Sequence, residues 1–353
     1  HQDPPDEGPK GQDGMPSSGE PAANFAHPDE APTRAKLRRR RILQVAGAAA
    51  VTGVVGGGSY VAYDHYRRFG RATGQAIKDH RVKLSSSTPK MVIARGKSPT
   101  RNVRAALARM GGMESFVSPG EVVLVKPNIG WDRTPLQAGN TNPEVVAELI
   151  RACLAAGAKE VIVTDCPVDD GQRTFQASGI QVAAAKAGAT VILPHQSPYR
   201  VVTLSQALGA WDVLEPFVTA DKIINVPIVK HHGAAGVTAG MKNWIGITTK
   251  RRSTFHTRLN ATISELAALM RPTLTVLDAT RVLRRNGPKG GSLSDVKQVD
   301  TVVMSVDPVA ADAWAAELLK TPTGQLEYLG LAARMKLGQI DYRKLNSQEI
   351  VAG

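Results

Sequence analysis

The chain has 353 residues, 42% of them hydrophobic, enough to bury one large core in a single ordered domain. Its formal charge of +13 would suit nucleic acid only if it were clustered among aromatics, which make up 5% of the residues. The densest basic run, Arg34 to Arg41, instead abuts an apolar segment, where positive charge sets membrane orientation, so the composition argues against a nucleic-acid partner. The two cysteines, Cys153 and Cys166, are too few for a self-contained four-cysteine zinc or iron–sulfur centre. A predicted helix over 143–156 followed by an antiparallel strand over 160–165 sets their sulfurs on the order of 15 Å apart. That exceeds disulfide reach, and two reduced, buried thiols are expected.

Residues 1–33 are rich in Pro, Gly, Ser, Asp and Glu and poor in large apolar side chains, the composition of a disordered acidic tail. The composition then flips. Arg38 to Gln44 leads into an Ala/Gly/Val stretch from Val45 to Tyr63, and Arg39-Arg40-Arg41-Ile42-Leu43-Gln44 resembles the twin-arginine export signal, with Gln44 where that signal often has Lys. The resemblance implies the twin-arginine export machinery as a partner and a periplasmic or extracytoplasmic location for the globular part. An ordinary signal anchor would use the same charge asymmetry. Ile42 to Tyr63 is long enough to span a bilayer and has no clean small-x-small cleavage site, so retention as a membrane anchor through 42–63 is expected. Residues 64–89 read as a basic helix and linker.

From Met91 onward strands and helices alternate. Strands are predicted at Met91–Ala94, Glu121–Lys126, Glu160–Asp165, Thr190–Leu193, Val201–Leu204, Lys222–Val229, Thr273–Asp278 and Thr301–Val306. Helices are predicted at Asn102–Met110, 143–156, Thr174–Ala187, Ala261–Met270, Val309–Leu319 and Gly324–Leu337. Thr141-Asn142-Pro143-Glu144 supplies a cap, a first-turn proline and an early acid for the second of these. Continuous apolar strands between amphipathic helices indicate one α/β domain over 90–345, a mostly parallel sheet with helices on both faces.

Polar residues gather just past the carboxyl ends of the predicted strands: Lys126 and Asn128, Asp165, Lys230 with His231 and His232, Asp278, and Asp307. Open α/β sheets bind ligands in the crevice outside those ends. The densest group is Lys230-His231-His232-Gly233 followed by Gly236 to Gly246, where Lys242 and Asn243 sit among glycines that let a ligand approach the backbone. Lys250, Arg251, Arg252, His256 and Arg258 follow and would close over a phosphate or carboxylate. The glycine loop Asn286 to Gly291 reads equally as a plain turn or as a ligand-facing one. No serine nucleophile elbow, Walker loop or dinucleotide glycine fingerprint is present in the sequence.

Four segments, Val125-Lys126-Pro127-Asn128, Asp221 to His231, Thr238 to Gly246 and Ser305 to Asp312, resemble the domain-of-unknown-function family numbered 362, over roughly residues 90–320. Members of that family are often fused to ferredoxin-type modules, so the resemblance implies a redox or cofactor-linked setting. This chain lacks the cysteine-rich module, and an electron-transfer role would need a separate redox partner or a bound cofactor. The resulting expectation is a membrane-tethered protein that binds an anionic small molecule or cofactor of unknown identity. Lys126, Asn128, His232, Lys242, Asn243 and Arg258 would bind it, and His231, His256 and Lys230 are the acid/base candidates. Asp165, Asp278 and Asp307 would hold a divalent metal or orient those bases. The alternative is a non-catalytic accessory subunit docked on a larger respiratory or photosynthetic membrane complex.

Overall fold

The computed structural model describes residues 74–248 and 252–353. The predicted tail at 1–33, the signal or anchor at 34–63 and the start of the 64–89 segment lie outside the described residues. The remainder of that last segment is extended rather than helical. Gln75 bridges Val202, Ile77 is buried, and His80 Nδ1 lies 3.0 Å from the Asp221 carbonyl. Lys78 pairs with Asp221, while Asp79 pairs with Arg81 and Arg271. These partners belong mostly to the domain rather than to neighbouring turns, which is why the segment lies along the surface instead of coiling. Among the described residues no helix is long and apolar enough to cross a membrane.

In chain order the strands are β1 (Met91–Arg95), β2 (Val122–Pro127), β3 (Glu160–Val163), β4 (Thr190–Val191), β5 (Tyr199–Ser205), β6 (Gly209–Leu214), β7 (Lys222–Val226), β8 (Ile228–His232), β9 (Gly236–Thr238), β10 (Leu274–Leu283), β11 (Val296–Ser305) and β12 (Ser347–Val351). The helices are α1 (Pro99–Arg109), α2 (Pro143–Ala155), α3 (Gly171–Ala177), α4 (Ile180–Lys186), α5 (Pro216–Thr219), α6 (Leu259–Met270), α7 (Pro308–Leu318) and α8 (Glu327–Arg334). The main sheet runs β12-β1-β11-β10-β7-β2-β3-β4, with β8 and β9 branching from β10, and β5 and β6 form a separate hairpin. Strands β10, β7, β2, β3 and β4 are parallel, and β11 is antiparallel to both β1 and β10. The fold is α/β, with a mostly parallel mixed sheet.

Period-two alternation divides the core between the two faces. Val92, Val123, Val125, Ile224 and Val226 pack with α1, α2 and α4 on one side. Met91, Ile93, Leu124 and Ile223 pack with α6, α7, α8 and the hairpin on the other. Cys153 and Cys166 fall in different clusters and are both free and buried, as their predicted spacing required.

Several boundaries differ from expectation for local reasons. The helix predicted over Thr174–Ala187 is two helices, because Gly179 takes a left-handed φ of 71° between them. The strand predicted over Lys222–Val229 divides at Pro227, which has no N–H for the ladder, and β8 leaves β7's line to pair with β10 and β9. The last predicted helix keeps only Glu327–Arg334 as α-helix, and β12 extends the domain past residue 345 to Val351.

Candidate functional site

The carboxyl ends of β2 and β3 and the strand β8 converge on a cavity of about 720 Å³. Lys126, near the end of β2, is fully buried, and so is Asp165, just past β3. Their side chains meet at 2.7 Å, and Lys126 Nζ also donates to the Pro127 carbonyl at 3.0 Å. The Asp165 carboxylate accepts two backbone bonds besides, from Ile129 N at 2.7 Å and Cys166 N at 2.9 Å. Burial pushes the Lys126 pKa down and Asp165 opposes that push. Gly246 closes over the pair: a Cβ there would sit 2.1 Å from Asp165 Oδ1 and 2.9 Å from Lys126 Nζ. Gly246→Ala is therefore expected to cost about 1–3 kcal/mol by overpacking. Chemical denaturation checks this, and an unchanged midpoint would contradict the packing described.

Strand alternation explains which of three adjacent residues reach the cavity. Lys230 and His232 share one face of β8 and line it, whereas His231 points to the other face. There its Nδ1 accepts from Gly287 N at 3.2 Å. Lys230 Nζ donates to Asn128 Oδ1 at 2.9 Å and to the Gly139 carbonyl at 2.6 Å. From Asn128 a chain of side-chain amides continues: Asn128 Nδ2 donates to Asn243 Oδ1, and Asn243 Nδ2 to Asn225 Oδ1, both at 2.9 Å. Asn225 Nδ2 then donates to the Gly240 carbonyl at 2.8 Å, and Gly240 N donates to Asp312 at 2.7 Å. Such a connected buried network fixes each member's rotamer and therefore the shape of the wall. Lys230 receives no carboxylate from it, and burial, reinforced by Lys242, drives its pKa well below the ordinary lysine value.

Lys242 opens the 3₁₀ segment Lys242–Ile247 and reaches the cavity without a hydrogen-bond or ion-pair partner among the described residues. Burial and the nearby Arg252 lower its pKa to about 8. Arg252, at the start of the 3₁₀ segment Arg252–Arg258, is held by the Cys166 and Pro167 carbonyls and has no carboxylate partner among the described residues. Trp211 anchors the same segment through Phe255, with ring centroids 4.3 Å apart. His256 lines the cavity from its exposed edge, and partial desolvation together with Lys242 lowers its pKa, so the imidazole is a proton acceptor near neutral pH. Among the described lining residues Asp165 is the one carboxylate, and it is committed to Lys126. The wall carries more cation than it neutralises.

His232 plays a different part. Its Nδ1 accepts from both Ala234 N (3.1 Å) and Ala235 N (3.2 Å), which places the proton on Nε2. Burial and the surrounding cations hold its pKa at about 3, making it a neutral donor rather than a charged one. A histidine depressed in the fold contributes stability that is present above its unfolded pKa near 6.5 and is lost as pH falls toward about 3. His232→Asn keeps an acceptor for the two backbone bonds and removes the titration. Denaturant unfolding at about pH 7 and pH 4 should then show a smaller loss on acidification in the variant than in the wild type. An equal loss would contradict the assignment.

The remaining predicted residues lie elsewhere. Arg258 pairs with Glu265 at 2.7 Å and does not line the cavity. Asp278 is wholly buried within β10, its carboxylate accepting from Asn142 N (2.7 Å), Thr280 N (3.0 Å) and Thr280 Oγ1 (2.7 Å). It anchors the start of α2 beneath the rim. Asp307 follows β11, which runs antiparallel, so it falls at the opposite edge, beside the first residues of β1 and β10. There it caps α7 through Ala310 N and also accepts from Gln339 N. The three aspartates therefore do not converge. Among the described residues no group of three or more His, Cys, Asp or Glu could hold a metal ion. Sequence reasoning gave no site role to Asn225, Asp312, Trp131 or Cys166, although Asn225 and Asp312 stand in segments that carry the family resemblance. Asn225 was detectable as the polar interruption of an apolar strand, and Asp312 as an acid set among alanines in a helical run.

Residues 123–317 match the family described as a domain of unknown function, DUF362, and the chain belongs to that family. It is 28% identical over 245 residues to a thylakoid-associated protein of Synechocystis, an alignment covering 67% of this chain and 74% of that protein. Among solved structures, the lactate racemase apoprotein of Thermoanaerobacterium thermosaccharolyticum aligns over 69% of this chain and 58% of that one, at 12% identity and a TM-score of 0.39. A protein of Thermotoga maritima aligns over 68% and 60%, at 10% identity and a TM-score of 0.35. The chain thus spans less than two thirds of the length of either solved structure.

Proposed function

We propose that this protein holds an anionic small molecule in the cavity at the strand ends. The carrying observation is electrostatic: Lys230, Lys242 and Arg252 face one cavity whose carboxylate, Asp165, is already neutralised by Lys126. Buried cations without counter-ions are costly, and a bound anion supplies what the wall lacks. In this reading Lys242 and Arg252 bind the anion directly, His232 donates a neutral hydrogen bond, and His256 is the proton acceptor beside it. Lys230, Asn128 and Asn243 hold the wall in shape.

The protein is proposed to work on the extracytoplasmic face of a membrane, tethered through residues 42–63 after twin-arginine export. The thylakoid association in the name of the Synechocystis relative favours a membrane setting. It also favours a second reading, in which the chain is a non-catalytic accessory subunit of a membrane complex and the cavity is a vestigial site that holds no ligand.

Native mass spectrometry of protein purified from its own envelope tests the first reading. A stoichiometric anionic ligand is expected in the wild type and is expected to be lost in Lys242→Met. A ligand-free wild type whose membrane complex dissociates on deletion of 34–63, with no effect of Lys242→Met, would support the accessory-subunit reading instead.

A further inference from the structure

We propose that Lys242 is a carbonyl-binding amine, forming an imine with the oxo group of a small anionic carbonyl compound whose charge is held beside Arg252. The proposal rests on the anion-binding reading above and adds the chemical class of the ligand. It starts from a contrast between three lysines of one site. Lys126 spends its donors on Asp165 and the Pro127 carbonyl, and Lys230 spends its own on Asn128 and the Gly139 carbonyl. Both are nearly inaccessible, at 0% and 1% exposure. Lys242 is partly exposed, faces the cavity and has no partner among the described residues.

A lysine held as a permanent cation has carboxylate or carbonyl acceptors around its ammonium, as Lys126 does. Lys242 has the opposite surroundings: burial and a neighbouring guanidinium, the combination that frees a lysine nitrogen lone pair for attack. With its pKa lowered to about 8, roughly a tenth of the amine is neutral at pH 7, far more than of an ordinary lysine. Arg252 cannot lose its own proton there and so keeps the charge that fixes a carboxylate or phosphate.

The step balances without an oxidant or reductant. The neutral Nζ attacks the carbonyl carbon, forming the N–C bond, and the carbonyl oxygen takes up a proton released by the nitrogen. The C–O bond then breaks, the oxygen leaves as water with the second amine proton, and the nitrogen lone pair completes the C=N bond. His256, whose neutral ring lines the same cavity, is placed to relay these protons.

The test is reductive trapping on the full chain, with pyruvate as the anionic probe, acetone as the neutral one and cyanoborohydride as the trap. The expected result is one adduct with pyruvate, of the probe's mass less one oxygen atom, mapped to Lys242. Its formation should accelerate as pH rises through about 8, acetone should give none, and Lys242→Arg should abolish the adduct while leaving the melting temperature unchanged. Absence of the adduct, spread of label over surface lysines, or equal labelling of Lys242→Arg would overturn the proposal. Inorganic phosphate separates the two levels. If it raises the wild-type melting temperature while pyruvate leaves no adduct, the imine is refuted and the anion cavity stands. If neither has an effect, both are refuted.

Discussion

Replacing Asp165 with alanine should destabilise the domain by about 3–5 kcal/mol, the range for leaving one member of a buried ion pair without its partner. The loss has identifiable parts. Lys126, wholly buried, would keep only the Pro127 carbonyl as an acceptor. The Ile129 and Cys166 amides would lose the carboxylate oxygens that now lie 2.7 and 2.9 Å from them. Because those amides shape the start of the loops after β2 and β3, the cavity wall should loosen together with the fold. Lys126→Met in the same background would remove the stranded charge and should recover part of the stability. Urea unfolding of the single and double variants reads this directly. A single variant within about 1 kcal/mol of wild type would show that the pair does not organise the site.

Lys242→Met should have the opposite signature: intact or slightly raised stability and a large loss of ligand affinity. Lys242 has no described partner to strand, so its removal relieves a desolvated charge. A charge-assisted contact to an anion contributes about 1.5–3 kcal/mol, so affinity for an anion such as phosphate should fall roughly tenfold or more. Arg252→Met is expected to be less clean, because the guanidinium also ties together the Cys166 and Pro167 carbonyls. Paired thermal-shift and binding measurements on Lys242→Met check both halves. A stability loss like that of Asp165→Ala would mean that Lys242 supports the fold rather than the ligand.

Much of the parallel sheet could be read from the sequence because fully buried strands are written as short apolar runs, such as Val122 to Val125 and Lys222 to Val226. The helix cap at Asn142 was equally plain, and its side chain does accept from Glu144 N. What the sequence could not supply was strand direction. Asp307 follows an apolar strand just as Asp165 does, but β11 runs antiparallel and delivers Asp307 to the far edge. Nor could it tell which of Lys230-His231-His232 face the ligand: adjacent histidines must point in different directions, but it is the β8 register that turns His231 away from the cavity. The basic residues near Arg252 illustrate a third limit. Proximity in sequence suggested that Arg258 would join them, and one carboxylate seven residues on, Glu265, draws it elsewhere. The amide chain through Asn128, Asn243 and Asn225 joins three separate segments and becomes visible only in the folded chain.

The central claim is that the cationic wall at the strand ends holds an anion. Calorimetric titration of the full chain with inorganic phosphate and with pyruvate, at fixed ionic strength, tests it most directly. Saturable binding of at least one of them to the wild type, weakened about tenfold or more in Lys242→Met, is the predicted result. No saturable binding of either, or equal affinity in wild type and Lys242→Met, would contradict it.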